Sequence, residues 1–332
     1  MKLSVIIPSY RRSFDLKRCL EALKRQSRSA DEILVIVRED DIETSQLVAA
    51  FSKNLPYLQI VFTRKPGLIA ALNCGLDNAT GDIFVFTDDD SEAEKNWLEL
   101  IEVRFNDPKI GAVGGRDWLQ LPDEPSRYYA AEVNKVGVLT WYGKLYGNHH
   151  HPLHGHKRKV MFLKGVNMAY RKTALGSRRI DMNLRGAGSQ VGSELDLCSQ
   201  ISHAGFSILF DDRILVKHYC APRPKDDVRT DLNGPVWLDI CFNTHYLIAK
   251  HFGISRSFAF LCYGRLLGTR YMPGLFATFK WTLKRDRSIW KRLLQMTAMA
   301  FSGFLAGRRM KSDNTQNIPD LQSLSSQGST AA

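Results

Sequence analysis

Three adjacent aspartates, Asp88, Asp89 and Asp90, close an apolar run at residues 83–87. Carboxylates this close repel one another unless a cation or an array of donors offsets their charge. Hard divalent cations such as Mn²⁺ and Mg²⁺ take carboxylate oxygens and keep positions open for phosphate. Side chains alternate along a strand, so Asp88 and Asp90 can share one side while Asp89 faces the other. The same residues also suit a helix start, because Asp90-Ser91 precedes Glu92 and Glu94. A second polar group is His149, His150, His151, His154 and His156. It has no cysteine beside it, and Lys157-Arg158-Lys159 would repel a cation. Zinc is therefore disfavoured there, and a loop near an acceptor or a phosphate is expected.

The elements that must position these groups alternate in type. Residues 3–8, 32–37, 58–63 and 83–87 are short apolar runs that read as buried strands. Residues 15–26, 44–51, 68–78 and 96–105 have helical spacing. This order predicts a mostly parallel, doubly wound sheet with helices on both faces. Such sheets bind ligands beyond the carboxyl ends of their strands, which is where Asp88–Asp90 fall. Strands are also expected at 111–115, 161–170, 206–210 and 214–216, and a helix at 194–204.

The 332-residue chain carries a net charge of +12, which calls for an anionic partner. Much of the excess lies beyond residue 220, interleaved with large apolar side chains. That suits an anionic membrane surface better than nucleic acid, which is not expected as a partner. The longest uncharged stretch, 293–307, is shorter than the roughly 20 residues a crossing needs. Residues 221–310 are therefore expected as helices associated with the membrane, peripheral or shallowly inserted. Residues 311–332 are expected as a disordered tail. The six cysteines share no ligand spacing and most sit in apolar patterns, as reduced buried thiols do. The run after Met1-Lys2 is too short for an export signal, so the cytoplasmic face of the inner membrane is the expected location.

Several segments together resemble family-2 glycosyltransferases, covering roughly residues 1–220 in the right order. Leu3-Ser4-Val5-Ile6-Ile7-Pro8-Ser9-Tyr10-Arg11-Arg12 resembles their opening strand and loop. Residues 67–90 resemble their helix, strand and DXD motif. Lys164-Gly165-Val166-Asn167-Met168-Ala169-Tyr170-Arg171 resembles the acceptor-side strand. Gly192-Ser193-Glu194-Leu195-Asp196-Leu197 resembles the segment with the catalytic base. His218 falls where many members have a histidine. The resemblance implies a GT-A fold at 1–220 and a non-processive enzyme of the bacterial polysaccharide type. Neither a multi-span region nor a Gln-x-x-Arg-Trp motif, marks of processive synthases, is present.

Roles are implied residue by residue. Pro8, Ser9, Tyr10, Arg12, Arg38, Lys65 and Asp88 would bind the donor, a nucleotide-sugar, with UDP-sugars favoured. Lys65 would meet the diphosphate together with the free amides of the following helix. Asp88, Asp90 and His218 would hold Mn²⁺ or Mg²⁺. Glu194 would act as general base in an inverting transfer; it would equally suit a first-turn carboxylate. Asn167 and Asp196 would bind the acceptor, a saccharide or lipid-linked saccharide. One departure concerns the second strand, which family members often end with Asp-Asp-Gly-Ser. Here it ends Val37-Arg38, with Asp40 and Asp41 displaced into the loop. A nucleotidyltransferase would carry a Gly-rich loop after the first strand, and the loop here, Ser9-Tyr10-Arg11-Arg12-Ser13, has no glycine. A catalytically inactive scaffold would not be expected to keep Asp88, Asp90 and Glu194 together.

Overall fold

The computed structural model describes residues 1–120, 131–186, 188, 190–221, 234–268, 272–283 and 288–316. The chain divides into two compact units, Met1–Ile240 and Cys241–Ala332.

The first unit begins with β1 (Leu3–Ser9), α1 (Ser13–Lys24), β2 (Glu32–Arg38), α2 (Ile42–Ser52), β3 (Leu58–Thr63), α3 (Leu68–Asn78) and β4 (Ile83–Phe86). It continues with β5 (Ser91–Ala93), α4 (Trp97–Arg104), β6 (Ile110–Leu119), β7 (Val138–Leu139), β8 (Leu145–Tyr146) and β9 (Lys157–Lys159). Then come β10 (Met168–Arg171), α5 (Lys172–Leu175), α6 (Ser193–His203) and β11 (Ser207–His218). The sheet runs β3-β2-β1-β4-β10-β6-β11-β5, with β9 also on β11. Strands β3, β2, β1 and β4 are parallel, and β6 pairs parallel with β11. Between the two groups β10 is antiparallel to both β4 and β6. The carboxyl ends of β1, β4, β6 and β11 therefore lie along one edge.

Burial on both faces explains the apolar character of the strands. Leu3, Val5 and Ile7 of β1 pack into a core with Leu16, Cys19, Leu20 and Leu23 of α1 and Trp97, Leu98 and Ile101 of α4. Ile6 points the other way, against α3. A Cβ on Gly75 would lie 2.4 Å from its side chain.

Three points of local structure shape the site. No helix follows Asp90 directly. Ser91–Ala93 instead form β5, antiparallel to the end of β11, with Ser91 opposite His218, and α4 starts only at Trp97. Local propensity favoured a helix start, but pairing with a strand more than a hundred residues away overrides it. The strand expected at 161–170 shrinks to β10, because Lys164–Asn167 form a tight turn closed by Asn167 N donating to Lys164 O. The two strands expected at 206–210 and 214–216 are one strand, β11, with a register shift between Asp211 and Leu215. That bulge needs Gly115 opposite it: a Cβ there would sit 1.8 Å from Ile214 O.

The second unit takes in most of α7 (Pro235–His251), then α8 (Ile254–Leu266), α9 (Leu275–Thr282) and α10 (Ser288–Gln316). Gly303 and Gly307 let α10 press on α7, since a Cβ on either would meet Phe242 O or Tyr246 O at 2.4 or 2.1 Å. The tail expected from residue 311 is helical through Gln316; residues 317–332 lie outside the described residues. No helix among the described residues is long and apolar enough to cross a membrane. All six cysteines are free; Cys19, Cys198 and Cys241 are buried, and the other three are half-exposed rather than buried.

Candidate active site

The carboxyl edge gathers acids from β4 with His218 from the end of β11. Asp88, Asp90 and His218 offer ligand atoms within 4.8 Å of one another, and they are the one such group among the described residues. His218 Nε2 lies 3.2 Å from Asp90 Oδ1, and its Nδ1 lies 3.0 Å from Asp117 Oδ1 on β6. Asp90 Oδ2 accepts from Ala221 N at 2.8 Å. Asp89 faces away, although Asp88–Asp90 lie in the turn after β4 rather than in the strand. It accepts from Ser9 Oγ at 2.8 Å and from Arg12 Nη1 at 3.2 Å; the same Arg12 atom lies 3.6 Å from Asp90.

The charge is unbalanced. Burial pushes the Asp89 carboxyl up to about 7, with Arg12 working against it. Burial and the neighbouring Asp90 push Asp88 up to about 6. Burial also disfavours the Asp90 anion, yet His218, the Ala221 amide and Arg12 hold it below the ordinary carboxylate range. Burial alone would lower His218, but Asp117 and Asp90 raise it to about 11. Within the group, the Asp88 carboxyl thus resists ionising beside Asp90, and buried Asp90 Oδ1 lacks a well-directed donor among the described residues. A divalent cation fits this donor set: two carboxylates and one imidazole, with negative charge in excess.

The other sequence-designated residues divide into two groups. Pro8 is the penultimate residue of β1, half-buried, near the loop that starts at Tyr10. The Arg38 guanidinium lies 4.2 Å from the Tyr10 ring centroid, and Arg38 grips Asp40 through two bonds of 2.9 and 2.7 Å. Asp40 also accepts from Tyr10 Oη at 3.2 Å. Asp41 is buried and caps α2 through Thr44 N and Oγ1. Glu194 sits in the first turn of α6, half-buried, with Ser193 Oγ 3.2 Å from its Oε2.

Three expectations need correction. Lys65 is exposed, but the α3 amides beside it are not free. Leu68 N donates to Gly188 O at 3.2 Å and Ile69 N to Gln190 Oε1 at 3.2 Å. The segment before α6 thus occupies the helix start that was expected to hold phosphate. Asp196 is fully buried and accepts from Asp181 N at 2.8 Å and Gln200 Nε2 at 2.9 Å, so it stabilises the fold rather than facing an acceptor. Asn167 is likewise fully buried. It accepts from Trp97 Nε1 at 2.9 Å and donates to Arg116 O at 3.1 Å and Ile214 O at 2.8 Å, stapling α4, β6 and the β11 bulge. Asn167→Ala would orphan an indole N–H and two carbonyls. It is expected to destabilise the protein by about 3 kcal/mol, read as a lower urea midpoint.

The histidine group does not converge. His149 is buried against Phe162 and Phe210, and its Nε2 lies 3.1 Å from Phe162 O; burial lowers its pKa to about 3. His154 and His156 meet Glu132 and Asp212 separately. His150 instead reaches Asp117. Asp117 was not singled out from the sequence; His150 was read there only within the histidine group, and the half-buried Lys164, whose charge favours the Asp88 anion, only within the acceptor-side segment. The one available signal was Asp117 itself, an acid at the end of a Gly-rich apolar strand.

Comparison with known proteins agrees with this arrangement. Residues 4–179 match the family described as Glycosyl transferase family 2. A glycosyltransferase of Escherichia coli K12, YibD, is 30% identical over 142 residues, 42% of this chain and 41% of that protein. The glycosyltransferase AglE of Haloferax volcanii is 30% identical over 123 residues, 36% of this chain and 40% of that protein. The chain therefore spans about two-fifths of the length of these relatives. A glucosyl-dolichyl phosphate glucuronosyltransferase of H. volcanii is 26% identical over 137 residues, 39% of this chain and 44% of that protein. Among solved structures, a Pyrobaculum calidifontis mannosyltransferase in complex with GDP-Man and Mn²⁺ shares the fold. Its TM-score is 0.54 at 16% identity, over 94% of this chain and 87% of that one. The fold is therefore GT-A-like, and with more than half of its length matched, this chain belongs to glycosyl transferase family 2.

Proposed function

We propose that the chain catalyses inverting, metal-dependent transfer of a sugar from a nucleoside-diphosphate sugar to a hydroxyl of a saccharide or lipid-linked saccharide, in the building of cell-surface polysaccharide. The observation that carries this reading is the convergence of Asp88, Asp90 and His218 at the carboxyl edge of a family-2 domain. These three side chains would hold Mn²⁺ or Mg²⁺, which when bound would supply positive charge for the leaving nucleoside diphosphate. Lys164 stands near enough to Asp88 to add a second cation for phosphate oxygens. Pro8, Tyr10 and Arg38 border the base, with Asp40 offering the carboxylate that family members carry at the strand end. Ser9 and Arg12, tied to Asp89, keep that acid turned out of the donor site. Glu194 takes the acceptor proton as the hydroxyl oxygen attacks the anomeric carbon. The C–O bond to the diphosphate breaks on the opposite face. A UDP-sugar is the donor proposed, and a GDP-sugar, as carried by the Pyrobaculum relative, is the competing one. Release of nucleoside diphosphate from a panel of both, with Mn²⁺ and membrane extract as acceptor, tests the reading. One donor consumed and arrested by EDTA supports it; no turnover of any donor removes it.

The lipid-linked acceptor draws support from the second unit. On α10, Trp290, Leu294, Phe301 and Leu305 are exposed within an arc of about 60° at 100° per residue, while Ile289, Leu293, Met296 and Ala300 face inward. Lys291 and Arg309 bracket the exposed stripe, and α9 exposes Leu275, Phe276 and Phe279 beside Lys280. An apolar stripe with cations at its ends suits the interface of an anionic bilayer, at the cytoplasmic face of the plasma membrane. Leu294→Ser with Phe301→Ser is expected to lower binding to phosphatidylglycerol vesicles at least about tenfold, since each side chain loses about 1.5–3 kcal/mol of burial. Co-sedimentation measures it; unchanged binding removes the membrane assignment.

A further inference from the structure

We propose that Asp117 is the positioning residue of the cation site: it receives the Nδ1 proton of His218 and so turns Nε2 toward Asp88 and Asp90. The inference rests on the metal-dependent reading above and extends it to a residue outside the ligand set.

Asp117 is fully buried near the end of β6, a strand whose other residues, Arg116 apart, are apolar or glycine. A carboxylate there would be costly without partners. Its partners are two imidazoles. His218 Nδ1 lies 3.0 Å from Oδ1; His150 Nδ1 lies 3.2 Å from Oδ2 and 2.9 Å from the Asp117 carbonyl oxygen. Those contacts hold the Asp117 carboxyl well below the ordinary range although burial opposes it.

The strands set this geometry. β6 and β11 run parallel with Leu119 opposite His218, and Gln120 N donates to His218 O at 2.8 Å. The His150 loop is fastened to the same strand. Asp117 N donates to His149 O at 3.0 Å, and Arg116 Nε donates to His150 O at 2.9 Å. On the opposite side of β11, Ser91 pairs with His218 and fixes the backbone that follows Asp90. His218 is therefore held at its backbone from both sides and at one ring nitrogen. Its remaining ring nitrogen, Nε2, faces Asp90 at 3.2 Å. A histidine coordinates through a lone pair, so a cation bound here would displace the Nε2 proton that faces Asp90, while Asp117 keeps the Nδ1 proton in place. Asp117 thereby makes Nε2 the coordinating atom and fixes the plane of the ring. The histidine loop thus supports the site from behind: His150 braces the residue that orients a ligand.

Mn²⁺ titrated into the full chain, followed by the EPR signal of free aqueous Mn²⁺, tests this. Asp117→Asn keeps the shape but loses the charge, and it is expected to weaken Mn²⁺ binding about 10–100-fold. In a His218→Gln background the same substitution is expected to add less than about twofold, because its effect runs through His218. His150→Gln leaves the Asp117–His218 bond intact and is expected to stay within about threefold of wild type. Wild-type affinity in Asp117→Asn overturns the proposal. So does an equal loss with and without His218, or a loss in His150→Gln as large as that in Asp117→Asn; either would make the effect general packing. If the wild type itself takes up no Mn²⁺, the metal-dependent reading falls as well, which separates the two failures.

Discussion

Asp90→Asn is expected to cut metal-dependent transfer by about 10³-fold or more while the protein stays folded. Asp90 is the ligand whose anionic form is best supported. Despite its burial, His218, the Ala221 amide and Arg12 all favour the charge. The amide of asparagine keeps an oxygen for Ala221 N, so the turn after β11 survives. The charge that draws a divalent cation does not. Lewis-acid stabilisation of a leaving diphosphate is worth several kcal/mol, and each 1.36 kcal/mol is tenfold in rate. Nucleoside-diphosphate release at saturating Mn²⁺ is the measurement, with far-UV circular dichroism to check the fold. Activity within tenfold of wild type would mean that the cation, if used at all, is held elsewhere.

Glu194→Gln is expected to slow transfer about 10²–10⁴-fold with little change in donor affinity. The glutamine is isosteric and stays in the first turn of α6, where Ser193 Oγ can still reach it. What it loses is the capacity to take a proton from the acceptor hydroxyl. A helix-dipole role predicts a different result. Loss of a first-turn carboxylate costs about 0.3–1 kcal/mol of stability and leaves kcat untouched. The two roles separate in one experiment: kcat against KM for the donor, together with the urea midpoint.

Much of the frame was legible because it is local. The runs at residues 3–8, 58–63 and 68–78 carry their periodicity and punctuation within themselves, and β1, β3 and α3 fall there. The pairing of Asp88 with Asp90 was legible, and Asp89 turns to Ser9 and Arg12, but a turn after β4 rather than strand alternation sets these directions. The misses are long-range. The start of β5 reads as a helix cap until β11 arrives to pair with it. Asn167 sits in a motif whose resemblance implied an acceptor contact, yet here Trp97 and the bulge carbonyl of Ile214 take its amide. The α3 amides look open until Gly188 O and Gln190 Oε1 accept from them. Asp117 and His150 are 33 residues apart and each lies far along the chain from Asp90. Only the sheet order β10-β6-β11-β5 brings them behind His218.

The most direct test of the central claim is anomalous diffraction from crystals grown with Mn²⁺ and a nucleoside diphosphate. The account predicts one strong Mn²⁺ peak bounded by Asp88, Asp90 and His218 Nε2, with diphosphate oxygens completing its shell and Lys164 close to the phosphates. A nucleotide bound without a peak there, or a peak away from these three side chains, would contradict it.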